Sequence, residues 1–372
     1  MTSEERREIR YQNRKRAREQ KREKRLSQYD DFEKVISCKA LVDGCKQSQK
    51  GVTWKASVQR YIMNLLRNTA TLHRDLAAGK DVSQGFIEFD LCERGKHRHV
   101  KSVHFRERCV QRALCDNALV PVLENALIYD NGASLRNKGI HFALNRLKVH
   151  LHRYYRENGF SNQGYVLIVD FSKYFDNIQH EPIFDILNKS FRDKRIIELS
   201  KTFIRPFGEK SVGIGSQISQ IIAVAYPNSI DHFIKQDLGI RYYARYMDDS
   251  YLIHRDKAYL QKCKDILMQK YAELGIMANP KKTQILKISN GFTFLQARYF
   301  LTDNGKVVVK PCRKSITRMR RKLKKYRALI DAGKMTLEDV NISYQSWRGY
   351  ISHTDCYRTV QSMDELFRKL FL

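Results

Sequence analysis

Residues 241–254, Arg-Tyr-Tyr-Ala-Arg-Tyr-Met-Asp-Asp-Ser-Tyr-Leu-Ile-His, constrain the fold of this chain more than any other stretch. Two runs rich in Tyr, Leu and Ile flank Asp248 and Asp249, the pattern of a β-hairpin with acids at a tight turn. Such a turn holds two carboxylates side by side, and carboxylate oxygen is the ligand Mg²⁺ prefers. An Asp-Asp turn is most often plain exposed surface. Here, however, a second strand ends the same way, because the apolar run Tyr165 to Val169 stops at Asp170. An apolar strand ending in Asp and an apolar hairpin tipped by Asp-Asp can gather three acids around two ions roughly 3.5–4 Å apart.

Tyr246-Met247-Asp248-Asp249 resembles the YxDD box of reverse transcriptases, and Asp170-Phe171-Ser172-Lys173-Tyr174-Phe175-Asp176-Asn177-Ile178 resembles their preceding acidic motif. The resemblance implies an α+β right-hand polymerase: fingers, a palm with a small antiparallel sheet, and an α-helical thumb. Residues 1–30 would be a basic N-terminal extension, 31–300 interleaved fingers and palm, and 301–372 the thumb. It also implies that Asp170, Asp248 and Asp249, with the carbonyl of Phe171, hold two Mg²⁺ ions, for which Mn²⁺ could substitute. Phe175 falls on the position where a bulky ring excludes the ribose 2′-OH, which makes deoxynucleoside triphosphates the expected substrate.

Further motifs follow the same family order. Gly95, Arg98 and Val100, then Arg108 and Gln111, match a fingers hairpin and the helix behind it, with Glu107 in place of the usual Asp and Val103 in place of Pro. The resemblance assigns Arg98, with Lys96, to the incoming triphosphate, as a guanidinium fork suits. Ser134 to Gly139 is similar to the family's S-x-x-R-x-G segment and places Arg136 beside the template base and nucleotide. Ile214-Gly215, followed by Ser219-Gln220, resembles the I-G-x-x-x-S-Q variant of diversity-generating retroelements, where most of the family carries Q-G-x-x-x-S-P. Ile214 cannot make the hydrogen bond of that Gln, and a site lacking a specifying hydrogen bond discriminates less well between bases. Low fidelity is therefore expected. Asn279 to Thr283 is similar to the N-x-x-K-T segment, with Lys282 placed to protonate pyrophosphate or to bind phosphate. Gly291 to Gln296 resembles the primer-grip hairpin, with Gln296 replacing its last glycine.

The charge balance agrees with a nucleic-acid partner. Across 372 residues, 69 Lys and Arg against 40 Asp and Glu give a net charge of +29, and neutralising phosphates with such a surface makes binding tight and salt-sensitive. Residues 1–26 carry eleven Arg and Lys with few apolar residues, so this segment reads as a solvated helix or an RNA-binding arm. No run approaches the 18 apolar residues of a membrane span, and no apolar leader follows the charged start, so a cytoplasmic location without membrane contact is expected. Eight cysteines without a C-x-x-C pair argue against a zinc site.

Periodicity predicts helices over 54–76, with Val58, Tyr61, Ile62, Leu65 and Leu66 on one face, and over 106–128, 141–155 and 218–233. A further helix carries Tyr259 to Leu274 and ends at Gly275. Asp303-Asn304-Gly305 reads as a linker to the last domain. Beyond it, ten basic residues and no acid lie between Lys310 and Arg327. Ile316, Met319, Leu323, Tyr326 and Ile330 form the buried stripe of a helix, leaving Arg318, Arg321, Lys322 and Lys325 for phosphates. The partners implied are template RNA, the RNA/DNA hybrid, deoxynucleoside triphosphates and a small basic accessory protein. The alternatives are a defence-associated bacterial reverse transcriptase copying its own noncoding RNA, and an RNA-binding maturase or scaffold without polymerase activity.

Overall fold

The computed structural model describes residues 1–93 and 96–372, without the side chains of Glu93, Lys96 and Arg98. Among the described residues, nine strands form three antiparallel sheets. Strands β1 (Phe86–Glu93) and β2 (Lys96–Val103) make a hairpin, as the alternation of Phe86 to Leu91 predicts. Strands β3 (Tyr165–Asp170), β4 (Tyr242–Tyr246), β5 (Asp249–His254) and β6 (Gln284–Lys287) form the central sheet in the order β4-β5-β3-β6. Strands β7 (Phe292–Phe294), β8 (Ala297–Leu301) and β9 (Val307–Pro311) form the third.

Both faces of the central sheet are covered, and alternation along each strand sorts its residues between two cores. Leu167, Val169, Tyr243 and Leu252 join the larger core beneath the sheet. Val166, Ile168, Tyr242, Ala244, Tyr251 and Ile253 join a second core, shared with helix Ile140–Glu157 and the β7-β8-β9 sheet. Double burial is why β3 reads as a continuous apolar run. Each fully buried Val or Leu in it contributes roughly 1.5–3 kcal/mol, which pins a register that ends at Asp170.

Several expected elements differ in detail. The helix over 54–76 is two, Ala56–Met63 and Leu65–Ala77, broken at Asn64; Val58, Leu72 and Leu76 form its buried side, and Leu66 points into solvent at 79% exposure. The helix over 106–128 runs from Phe105 to Ala126 but opens into a π turn at Cys115–Leu119. Pro121 lies just beyond, and in a regular helix its ring would press on the carbonyl four residues earlier. The helix over 218–233 is also two, Gln217–Ala225 and Asn228–Gln236, separated at Pro227.

The stretch Asp303-Asn304-Gly305 is the turn of the β8–β9 hairpin and not a linker. Gly305 has φ +79° and the Tyr155 ring crowds its missing Cβ, so a side chain there would clash as well as strain. The expected boundary at 301 thus falls at the end of β8, whose partner β9 lies beyond it. Helices Arg313–Asp331, Leu337–Ile351 and Tyr357–Phe371 then pack around Leu323, Val340, Tyr344, Trp347 and Met363. Asp355 ties this bundle to β9: its carboxylate accepts from the Val309 N–H at 2.7 Å, and its own N–H donates to the Val309 carbonyl at 2.6 Å. At the other terminus, Ser3–Tyr29 is one solvated helix started by a Thr2–Glu5 capping box, with only Leu26 buried. Among the described residues, no helix is long and apolar enough to cross a membrane.

Candidate active site

The acids meet where β3 and β5 end. Asp170 and Asp249 are directly opposed in the antiparallel register, so their side chains leave the same face of the sheet a few ångströms apart. Asp248 is joined to the same corner through its carbonyl, which accepts from the Phe171 N–H at 3.2 Å. Burial, together with the negative charges of Asp248 and Asp170, pushes the Asp249 carboxyl up to about 7 against the opposing pull of Lys282.

Residues 279–283 close the corner from the β6 side. The Asn279 N–H donates to the Asp170 carbonyl at 2.7 Å, and the Asp170 N–H donates to the Thr283 hydroxyl at 3.5 Å. Within the turn, the Lys282 and Thr283 N–H groups both donate to the Asn279 carbonyl. So held, Lys282 places its ammonium 2.6 Å from Asp170 Oδ2. Burial works against the charged amine, but Asp170, then Asp249 and Asp248, raise its pKa above the ordinary lysine value.

Among the described residues, no three His, Cys, Asp or Glu side chains already stand at ligand spacing; the Lys282 ammonium and the Asp249 carboxyl both reach the Asp170 side chain. The donor set nevertheless fits a hard divalent cation, being carboxylates that face one another, with Asp249 lifted by burial and then by its acidic neighbours.

The turn Met247-Asp248 is held from below by a residue that the sequence reading passed over. Arg245 is sealed from water with Asp231, both side chains at 0% exposure, at 2.6 Å. The guanidinium also donates to the Val224 carbonyl at 2.7 Å and to the Met247 carbonyl at 3.2 Å, while the Tyr243 hydroxyl donates to Asp231 at 2.5 Å. A signal was present, since Arg245 interrupts an apolar strand two residues from Tyr243, on the face a buried strand turns to its core. A charge there demands a buried partner.

The remaining residues to which the resemblance gives a role divide by location. Phe175, on the short helix Tyr174–Asn177, is half-buried at the edge of the large core. Its carbonyl accepts from the Val212 N–H at 3.2 Å, which ties it to the loop bearing the half-buried Ile214 and the exposed Gly215. That loop is fastened by Ser216, whose hydroxyl donates to Gln111 at 2.6 Å; Gln111 in turn donates to Glu107 at 2.9 Å. Arg136 is exposed in a cleft lined also by Arg112, Ser134, Lys138 and Gln217. Ser134 bridges to helix Gln217–Ala225 by donating to Gln220 at 2.8 Å. The assignments of Lys96 and Arg98 rest on side chains outside the described residues. Arg318, Arg321 and Lys325 stand in solvent on helix Arg313–Asp331, and Arg298 shares a basic groove with Arg318 and Arg321. Lys322 instead leans on the Tyr326 ring and the Ser343 hydroxyl.

The profile of the family described as reverse transcriptase (RNA-dependent DNA polymerase) matches residues 84–299. Among solved structures, the chain is similar to apo telomerase from Candida tropicalis truncated from its C-terminal domain, with 14% identity over 60% of this chain and 54% of that one, at a TM-score of 0.48. It is also similar to telomerase from Candida albicans in complex with a TWJ fragment of telomeric RNA, with 12% identity over 82% of this chain and 64% of that one, at a TM-score of 0.49. The chain thus spans less than two thirds of the length of either telomerase. No curated protein matches its sequence.

Proposed function

The chain belongs to the reverse transcriptase family of RNA-dependent DNA polymerases, and from that premise we propose that it copies a cognate structured RNA into cDNA, with low fidelity, in a diversity-generating retroelement. The observation that carries the chemistry is the register that sets Asp170 against Asp249, with Lys282 on the same carboxylate. Two Mg²⁺ ions held by Asp170, Asp248, Asp249 and the Phe171 carbonyl would activate the primer 3′-OH and neutralise charge on the triphosphate.

The chain's own residues do the rest. Lys282 keeps its proton through its contact with Asp170, and can give it to the leaving pyrophosphate or hold a phosphate oxygen. Phe175 serves as the ring that meets the sugar and excludes a 2′-OH. Ile214 offers the templated base pair no hydrogen bond. The stretch expected at 31–300, extended through β9 to Pro311, acts as interleaved fingers and palm, the three C-terminal helices as thumb, and the basic helix Ser3–Tyr29 as an extension toward the RNA. A small basic accessory protein and the RNA/DNA hybrid complete the set of partners.

The test is primer extension on an RNA template, with the product sequenced. Ile214→Gln restores a hydrogen bond worth about 1.5 kcal/mol and should lower misincorporation roughly tenfold. In the same assay Phe175→Ala should admit ribonucleotides that the wild type refuses. An unchanged error rate would remove the fidelity reading, and an unchanged ribose preference the role of Phe175.

A further inference from the structure

Met247 has φ +53°, a left-handed conformation that costs a non-glycine residue on the order of 1–2 kcal/mol. It is the residue that swings Asp248 and Asp249 toward Asp170, so something must hold it. The Arg245 guanidinium donates to the Met247 carbonyl. The same guanidinium holds Val224, in the helix that follows the Ile214-Gly215 loop.

The backbone of Arg245 reaches a third segment. Its N–H donates to the Asp130 carbonyl at 3.2 Å, and its carbonyl accepts from the Gly132 N–H at 3.0 Å. Residues 130–132 lead directly into Ser134 and Arg136. One residue therefore joins the acid-bearing turn, the Ile214 loop's helix and the Arg136 loop, and Asp231 keeps its guanidinium oriented through both carboxylate oxygens.

We propose that Arg245 is a positioning residue for nucleotidyl transfer, with Asp231 as its counter-charge: it locks the Met247 turn and couples it to the two loops assigned to the nucleotide. This rests on the reading of Asp170, Asp248 and Asp249 as the ion-holding acids. A carboxylate displaced by about 1 Å from its working position can cost a hundredfold in rate without weakening substrate binding. Loss of Arg245 should therefore fall on kcat and spare the KM for deoxynucleotide.

Two variants are compared with the wild type in RNA-templated primer extension, with thermal unfolding read in parallel. Arg245→Lys keeps the charge opposite Asp231 but cannot reach Val224, Met247 and both carboxylate oxygens together. The double variant Asp231→Asn with Arg245→Met replaces the pair by neutral groups, which leaves no buried charge unpaired. Both are expected to fold, with kcat reduced at least about tenfold and KM within about threefold of wild type. A folded double variant with wild-type kcat overturns the proposal, as does a kcat retained in Arg245→Lys. If both variants lose the fold, Arg245 serves only the core and the proposal falls as well. Asp249→Ala separates the two readings: full activity in that variant removes the acids' assignment, whereas an inactive Asp249→Ala beside a fully active Arg245→Lys removes only this one.

Discussion

Beneath β4 and β5, Arg245 and Asp231 are wholly excluded from water and share every polar atom with a neighbour. On helix Arg313–Asp331, by contrast, Arg318, Arg321 and Lys325 stand in solvent on a helix with no acid in its first turn. Taking a charge out of water costs several kcal/mol, so a buried pair survives only with close partners, and that requirement makes it a geometric constraint. A solvated charge has no such requirement. It contributes long-range attraction that salt screens, and it tolerates small shifts in position. The first region can fix where a turn sits to a fraction of an ångström; the second can hold a polyanion without fixing its register.

Two perturbations sharpen this contrast. Replacing Arg318, Arg321 and Lys325 together by Gln should weaken binding of an RNA/DNA hybrid about a hundredfold at low salt. The slope of log affinity against log salt should fall by about 3, with thermal stability unchanged. A binding titration at several salt concentrations reads this, and an unchanged slope would mean that phosphates do not lie on this helix.

A smaller effect belongs to the buried side. His150 lies against Asp130, Arg146 and Tyr251. Burial holds its pKa down at about 3 despite Asp130, with Arg146, Lys235 and Arg153 adding to the depression. The unfolded chain takes up this proton near pH 6.5 and the folded chain does not, so stability falls as pH drops from about 6.5 toward 3. Unfolding of wild type and His150→Gln at pH 7.5 and pH 4.5 should show the variant losing less, by on the order of 2 kcal/mol. Equal losses would place the acid sensitivity elsewhere.

The same contrast explains what the sequence made legible. Strands β3, β4 and β5 were readable because both their faces are buried and their apolar runs end at acids. The basic helix was readable because solvated charges leave a clean 3.6-residue stripe between them. Less readable were features set by partners far away in the chain. Leu66 is apolar yet exposed, because the helix breaks at Asn64 and turns that residue outward. Asp303-Asn304-Gly305 has linker composition, but β9 returns to pair with β8. Pro227 was visible, but propensity alone did not say that two helices would meet there. Arg245 looked like one more member of a basic chain, since its partner Asp231 is fourteen residues earlier and only the tertiary fold makes it a buried ion pair.

Distant strands bring Asp170 and Asp249 to one place, and the proposed chemistry needs them to act as a unit. Primer extension on an RNA template with Asp170→Ala, Asp249→Ala and the double variant tests it most directly. If the two carboxylates serve one site, each single variant should lose about as much rate as the pair, a thousandfold or more, because removing either disables the other. Single variants with small losses that simply multiply in the double variant would show two independent acids that share no site.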